Sequence, residues 1–159
     1  MGNIFSGSEI VEIGIQIEHN GFDFYNTLSK KTKDLKSKDI FEFLAGEEKK
    51  HIAVFQGILG ALARYEPPES YPGEYFSYMN ALAGEYVFTG KNKGAELAQK
   101  IASDLEAINL GIGFEKDSII FYDGMKKVVP PDEAGVIDQL IKQEEKHLQI
   151  LMDLKHGRT

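Results

Sequence analysis

The chain contains no cysteine. That removes disulfides, thiolate metal sites and cysteine nucleophiles together, and a cytoplasmic location fits it. Positive charge is also in short supply: 18 Lys and Arg stand against 25 Asp and Glu, a net charge of -7. Such a surface repels a phosphate backbone, so nucleic acid is not an expected partner. No apolar run approaches the ~20 residues that span a bilayer, so no membrane association is expected. The segment Met1-Gly2-Asn3-Ile4-Phe5-Ser6 lacks the basic start and apolar stretch of a secretion signal. Prolines are few and cluster at 67, 68, 72, 130 and 131, which leaves long stretches free to be helical.

What is present is helical periodicity. With 159 residues, 42% of them hydrophobic, the chain suits a single domain spanning 1–159 with a substantial core. Four long helices are expected. The first runs from about Ser8 to Lys31, capped by Ser6 or Ser8, with Glu9 and Glu12 near its positive end. The second runs from about Ser37 to Arg64 and stops before Pro67-Pro68. The third opens on a capping box, Ser103-Asp104-Leu105-Glu106, and runs to about Val128, before Pro130-Pro131. The fourth runs from Asp132 to about Lys155, followed by Gly157. Short connections make helices one and two, and three and four, antiparallel hairpins. Between the hairpins lie Tyr65 to Ala102, too long a stretch for a structureless loop, with Glu74–Phe88 and Gly94–Ile101 as candidate short helices. A long crossover makes the second and third helices parallel.

Each helix carries an apolar stripe interrupted by chemistry. The second has Phe41, Leu44, Glu48, His51, Phe55, Ile58 and Leu62; the fourth has Ile137, Leu140, Glu144, His147, Leu151 and Leu154. These steps of three and four define core seams, and in both a Glu-x-x-His pair occupies core positions. The first helix has Val11, Ile15, Glu18, Phe22 and Tyr25, and the third has Ile108, Ile112, Glu115, Ile119 and Tyr122. The halves match. Gly14, Glu18 and Phe24-Tyr25 correspond in spacing to Gly111, Glu115 and Phe121-Tyr122, and the step from Glu18 to Glu48 matches that from Glu115 to Glu144 to within one residue. The pattern reads as an internal repeat of one helical hairpin about a pseudo-two-fold axis.

Glu18, Glu48, His51, Glu115, Glu144 and His147 thus converge. Four carboxylates in an apolar core are costly unless compensated, and two divalent cations cancel their charge. Glu48 and Glu144 are placed to bridge both ions, Glu18 and Glu115 are terminal ligands, and each histidine serves one ion. Oxygen-rich coordination with one imidazole per ion suits iron or manganese. The same six residues are the candidate catalytic set. His19 and His156 read as surface residues, and Glu47 and Glu145 as solvated or as neighbours of the ligands. Tyr25 and Tyr122 are either core aromatics whose hydroxyls find a partner, or donors to ligand carboxylates and electron relays. Gly21 and Ser118, each three residues after a ligand, signal close helix packing or room beside the metals for a peroxide or a water.

These residues resemble the rubrerythrin branch of the ferritin-like superfamily over nearly the whole chain. The resemblance rests on Glu18, the run Glu47-Glu48-Lys49-Lys50-His51, Phe114-Glu115-Lys116-Asp117-Ser118 with Phe121-Tyr122, and Glu144 to His147. It implies an all-α, ferritin-like four-helix bundle whose long crossover contains short helices. It also implies a centre of two iron ions, with manganese or zinc as alternative occupants of the isolated protein. The implied activity is that of an oxidoreductase reducing hydrogen peroxide, or dioxygen, with electrons from a rubredoxin-like donor. Two departures stand out. Without cysteine the donor would act in trans, and Ser118 stands where rubrerythrins carry a second glutamate. Glu85, in the crossover, is a remote candidate to replace it. An iron-handling role, as ferroxidase or metal buffer, is the alternative, and a metal-bound structural or regulatory bundle without turnover is a third reading. The apolar crossover residues Tyr71, Tyr75, Phe76, Tyr78, Met79, Tyr86, Val87 and Phe88 lead to the expectation of a homodimer.

Overall fold

The computed structural model describes residues 7–62, 77–79, 81–83 and 93–157. Its helices are α1 (Gly7–Lys31), α2 (Leu35–Leu62), α3 (Lys93–Lys100), α4 (Asp104–Met125) and α5 (Pro131–His156). The described pieces of the crossover, 77–79 and 81–83, are helical as well, and no strand occurs among the described residues. The four long helices are those expected, and α3 is the second of the two short ones.

Helix ends follow from local chemistry. Asp34 caps α2: its Oδ2 accepts from Ser37 N at 3.0 Å and from Ser37 Oγ at 2.6 Å, and the helix starts at Leu35, two residues before the expected Ser37. Ser103 caps α4, its Oγ accepting from Glu106 N at 3.1 Å, while Glu106 Oε2 accepts from Ala102 N at 3.1 Å. Helix α4 ends at Met125, and 126–129 turn toward Pro130, so Val128 lies beyond it. Pro131 opens α5 at a position where a missing N–H costs nothing. Gly157 follows α5 with φ -68°, so the glycine is not used for a left-handed cap.

Contacts along the helices set their directions. Gly7 approaches Leu62, so α1 and α2 are antiparallel. Gly14 faces Met125 and Gly21 faces Phe114, so α1 and α4 are antiparallel too. Gly111 meets Leu151, which makes α4 and α5 antiparallel and leaves α2 parallel to α4, the arrangement a long crossover permits. Helix α3 lies on α1. A Cβ at Gly94 would fall 1.9 Å from Asn20 O, so only glycine allows this approach. Lys31 Nζ then donates to the carbonyls of Ala98, Gln99 and Ile101 and holds the end of α3.

All seam residues of α2 and α5 are buried. On α1 and α4 the match is partial: Ile15, Phe22 and Ile119 are half-buried, while Ile10, Ile17 and Phe24 are in the core. Of the apolar crossover residues, Tyr78 is 50% exposed and Met79 is buried. Tyr71, Tyr75, Phe76, Tyr86, Val87, Phe88 and Glu85 lie outside the described residues, as do Arg64 and Ser6. No helix among the described residues is long and apolar enough to cross a membrane.

Candidate metal centre

The heart of the bundle is polar. Glu18, Glu48, Glu115 and Glu144 have no exposed surface, and His51 and His147 are 1% and 3% exposed. One comes from α1, one from α4 and two each from α2 and α5, because a glutamate or a Glu-x-x-His pair replaces apolar residues on every inward seam. The six predicted ligands therefore meet.

They form two overlapping groups. Glu18, Glu48, His51 and Glu144 each offer a ligand atom within 4.8 Å of the others, and so do Glu48, Glu115, Glu144 and His147. Glu48 and Glu144 are common to both. His51 Nδ1 lies 2.8 Å from Glu144 Oε1 and 3.5 Å from Glu18 Oε2. His147 Nδ1 lies 3.3 Å from Glu48 Oε1, 3.2 Å from Glu144 Oε2 and 3.7 Å from Glu115 Oε1. The two rings stack, with centroids 5.6 Å apart and planes 16° apart.

Whether these residues suit cations is answered by atoms without partners. Among the described residues, the buried side-chain atoms lacking an aligned hydrogen bond are Glu18 Oε2, both oxygens of Glu48, His51 Nδ1, Glu115 Oε2 and Glu144 Oε1. All six belong to the converging set. Buried groups left so are costly, and lone pairs turned on a common centre are what metal ions satisfy. The residues fit a pair of divalent cations.

Without ions the cluster must hold protons. Burial, followed by the charges of Glu144, Glu18 and Glu115, pushes Glu48 well above the carboxylate range. Burial and then the Glu144 charge do the same to Glu115. His51 is pushed up to about 11: burial opposes its charge most, and the hydrogen bonds and charges of Glu144 and Glu18 together outweigh it. Glu144 moves the other way. Burial raises it, but hydrogen bonds from Glu115, His147 and His51 and the His51 charge leave it well below the usual range.

The two tyrosines cross between hairpins. Tyr25 of α1 donates to Glu115 Oε1 of α4 at 2.8 Å, and Tyr122 of α4 donates to Glu18 Oε1 of α1. Burial, then the nearby carboxylates, pushes both phenols well above their ordinary value, so both stay donors. Gly21 is explained by close packing: a Cβ there would meet Phe114 Cζ at 2.6 Å. Ser118 is buried and donates to Phe114 O of its own helix at 2.9 Å. His19, His156 and Glu145 are exposed, and Glu47 is 18% exposed and paired with Lys50 at 2.8 Å. Sequence reasoning missed Gln143, whose Oε1 lies 2.7 Å from His51 Nε2. The repeat could have signalled it, since Gln143 precedes Glu144 as Glu47 precedes Glu48. A cavity of about 280 Å³ between α2 and α5 reaches this edge, lined by Phe43, Glu47, Gln143, Lys146, His147 and Ile150. Another, about 290 Å³, lies beside Lys31 and Ser103, away from the carboxylates.

Helix order, the long crossover and a buried Glu/His heart define a ferritin-like four-helix bundle of the di-iron carboxylate type. The sequence matches the Rubrerythrin family over residues 9–155, and the chain belongs to that family. The fold is similar to a crystal structure from Thermotoga maritima described as a candidate ferritin-like diiron-carboxylate protein. The two share 25% identity and a TM-score of 0.70, over 98% of this chain and 97% of the other. None of the curated proteins matches the sequence.

Proposed function

We propose that the protein is a non-haem di-iron oxidoreductase that reduces hydrogen peroxide, using electrons from an external, rubredoxin-like donor. The observation that carries this reading is the convergence of Glu18, Glu48, His51, Glu115, Glu144 and His147 into two overlapping groups, with six of their buried atoms lacking an aligned hydrogen bond. In this reading Glu48 and Glu144 would hold both ions, Glu18 and His51 one, and Glu115 and His147 the other. Two iron ions held there would supply one electron apiece to a two-electron acceptor, with peroxide preferred and dioxygen the alternative.

The rest falls to the chain. The terminal carboxylates stay oriented because Tyr122 and Tyr25 hold one oxygen of each and leave the other free. Buried Phe24, Phe55 and Phe121 pack against the rings of Tyr25 and Tyr122. Access runs by the α2–α5 cleft, where Phe43 lies edge-on to His147 with centroids 6.3 Å apart. The 159 residues offer no thiolate for a rubredoxin-type iron, so the reading places that group outside them.

Ser118 favours a second reading, iron handling as ferroxidase or buffer. Its hydroxyl is engaged by its own helix, and it brings no carboxylate to the place where the family resemblance calls for one. Stopped-flow reoxidation of the iron-loaded, anaerobically reduced protein separates the two. Peroxide should reoxidise it faster than free ferrous ion, and Ser118→Glu should be faster still. A rate no greater than that of free ferrous ion rejects peroxide reduction in favour of iron handling.

A further inference from the structure

The two histidines differ at their outer edges. His51 turns Nδ1 inward to Glu144 and Glu18, and its Nε2 lies 2.7 Å from Gln143 Oε1 across the α2–α5 cleft. An amide oxygen only accepts, so Nε2 is the donor of this pair, and Nδ1 is the nitrogen turned to the carboxylates and to a metal held among them. The counterpart of Gln143 in the repeat is Glu47. A carboxylate oxygen of Glu47 lies within 4.8 Å of a ring nitrogen of His51 and of His147. His147 Nδ1 is engaged inward by Glu144 and Glu48, so its Nε2 is on the cleft side, where the Glu47 carboxylate stands near it without a hydrogen bond. Lys50 holds Glu47 Oε1 at 2.8 Å from the solvent side. One position of the repeat is thus a neutral amide in one half and a carboxylate in the other.

We propose that Gln143 and Glu47 are positioning residues for His51 and His147, and that their difference in charge makes the two metal subsites unequal, the His147 subsite holding its ion more tightly. This rests on the dimetal reading. A carboxylate on the Nε2 side draws the imidazole toward imidazolate by its charge and makes Nδ1 a stronger donor than an amide does. Partners of this kind change metal affinity roughly ten- to a hundredfold.

The test is calorimetric titration of the metal-free chain with zinc. The unmodified protein should take up two ions in two resolved steps, with His51→Ala sparing the tighter step and His147→Ala the weaker. Glu47→Gln should weaken the tighter step about tenfold, and Gln143→Glu should tighten the weaker one by a similar factor. Glu145→Gln, an equal change of charge at an exposed site on α5, should leave both steps in place. Metal-free melting temperatures should be unchanged by Glu47→Gln and Gln143→Glu, since a merely structural role would shift both steps together. Two-ion uptake in which these variants move neither step, or move both in the same direction, overturns the proposal. Failure of the unmodified protein to take up two ions overturns the dimetal reading itself.

Discussion

Adding a single methyl group at Gly21 tests how the site is packed. In Gly21→Ala the new Cβ would lie 2.6 Å from Phe114 Cζ, 2.9 Å from Phe114 Cε1 and 3.0 Å from Glu48 Oε2. The ring has little freedom to retreat. Phe114 is 3% exposed, and it meets Tyr25 edge-on with centroids 6.0 Å apart. Tyr25 is in turn tied to Glu115 at 2.8 Å. Two effects compete. Replacing a mid-helix glycine with alanine stabilises by about 1 kcal/mol. Forcing a methyl group into a packed core costs about 1–3 kcal/mol, and a contact this short on a confined ring belongs in the upper part of that range. The net loss should be about 1–2 kcal/mol, a drop in melting temperature of roughly 2–8 °C for a chain of this size. Gly57 provides the contrast. It lies within α2 with nothing within 4 Å of a built Cβ, so Gly57→Ala should gain about 0.5–1 kcal/mol. Urea unfolding of both variants, metal-free, is the assay. Zinc affinity should fall in Gly21→Ala alone, because the methyl group presses on an oxygen of Glu48. If Gly21→Ala is as stable as the unmodified protein while Gly57→Ala gains, the packing argument is wrong.

Tyr25→Phe and Tyr122→Phe should each cost about 1–3 kcal/mol in denaturant titrations by stripping a buried carboxylate oxygen of its donor; a loss near zero would show that the crossed bonds do not hold the carboxylates. Removing metal should lower the melting temperature, because ions bound only by the folded chain stabilise it by mass action. In the metal-free protein that temperature should also fall as pH rises from about 6.5 to 9. The folded state there keeps protons on His51, whose pKa is raised from 6.5 to about 11, and on Glu48 and Glu115, whose pKa values are raised too, while the unfolded chain releases them. The contribution of His51 is complete below pH 6.5 and gone above about 11, whereas that of the depressed Glu144 is complete above its ordinary 4.5 and is lost only as pH falls below it, outside this window. A melting temperature that rises across this window in verified metal-free protein would contradict the cluster as described. Metal analysis of His51→Ala and His147→Ala should show preferential loss of one ion each, and of Glu48→Ala or Glu144→Ala loss of both. Light scattering should report a homodimer, and a monomer across a wide concentration range would refute that expectation.

Helices α2 and α5 were legible in the sequence because each seam position carries a residue that hydrophobic spacing detects, from Phe41 to Leu62 and from Ile137 to Leu154. On α1 and α4 the stripe of large residues was a poorer guide. There the inward line passes through Gly14, Gly21 and Gly111, where the backbones come close to side chains of the facing helices. A search for large apolar residues passes over glycine and selects neighbours such as Ile15 and Phe22, which the structure leaves half-buried. The fold class followed from four stripes, two short turns and one long crossover. The six converging residues followed from the same arithmetic, since a glutamate or a Glu-x-x-His pair on a buried stripe must face the others.

By itself, then, the sequence determined four amphipathic helices, their pairing into two related hairpins, and the residue types brought to the centre. The helices and their inward residues depend on spacing within one helix, which the 3.6-residue period sets, and the pairing depends on the short connections. The tertiary structure alone decided which hydroxyl meets which carboxylate, which ring excludes a side chain at Gly21, and which outer group backs His51. Tyr25 and Glu115 are 90 residues apart, Tyr122 and Glu18 are 104, and His51 and Gln143 are 92. No local period relates such partners. They meet only where the antiparallel register of separate helices places them, and that register is set by the close approaches at Gly14, Gly21 and Gly111, where side chains of the facing helices fill the space a Cβ would need.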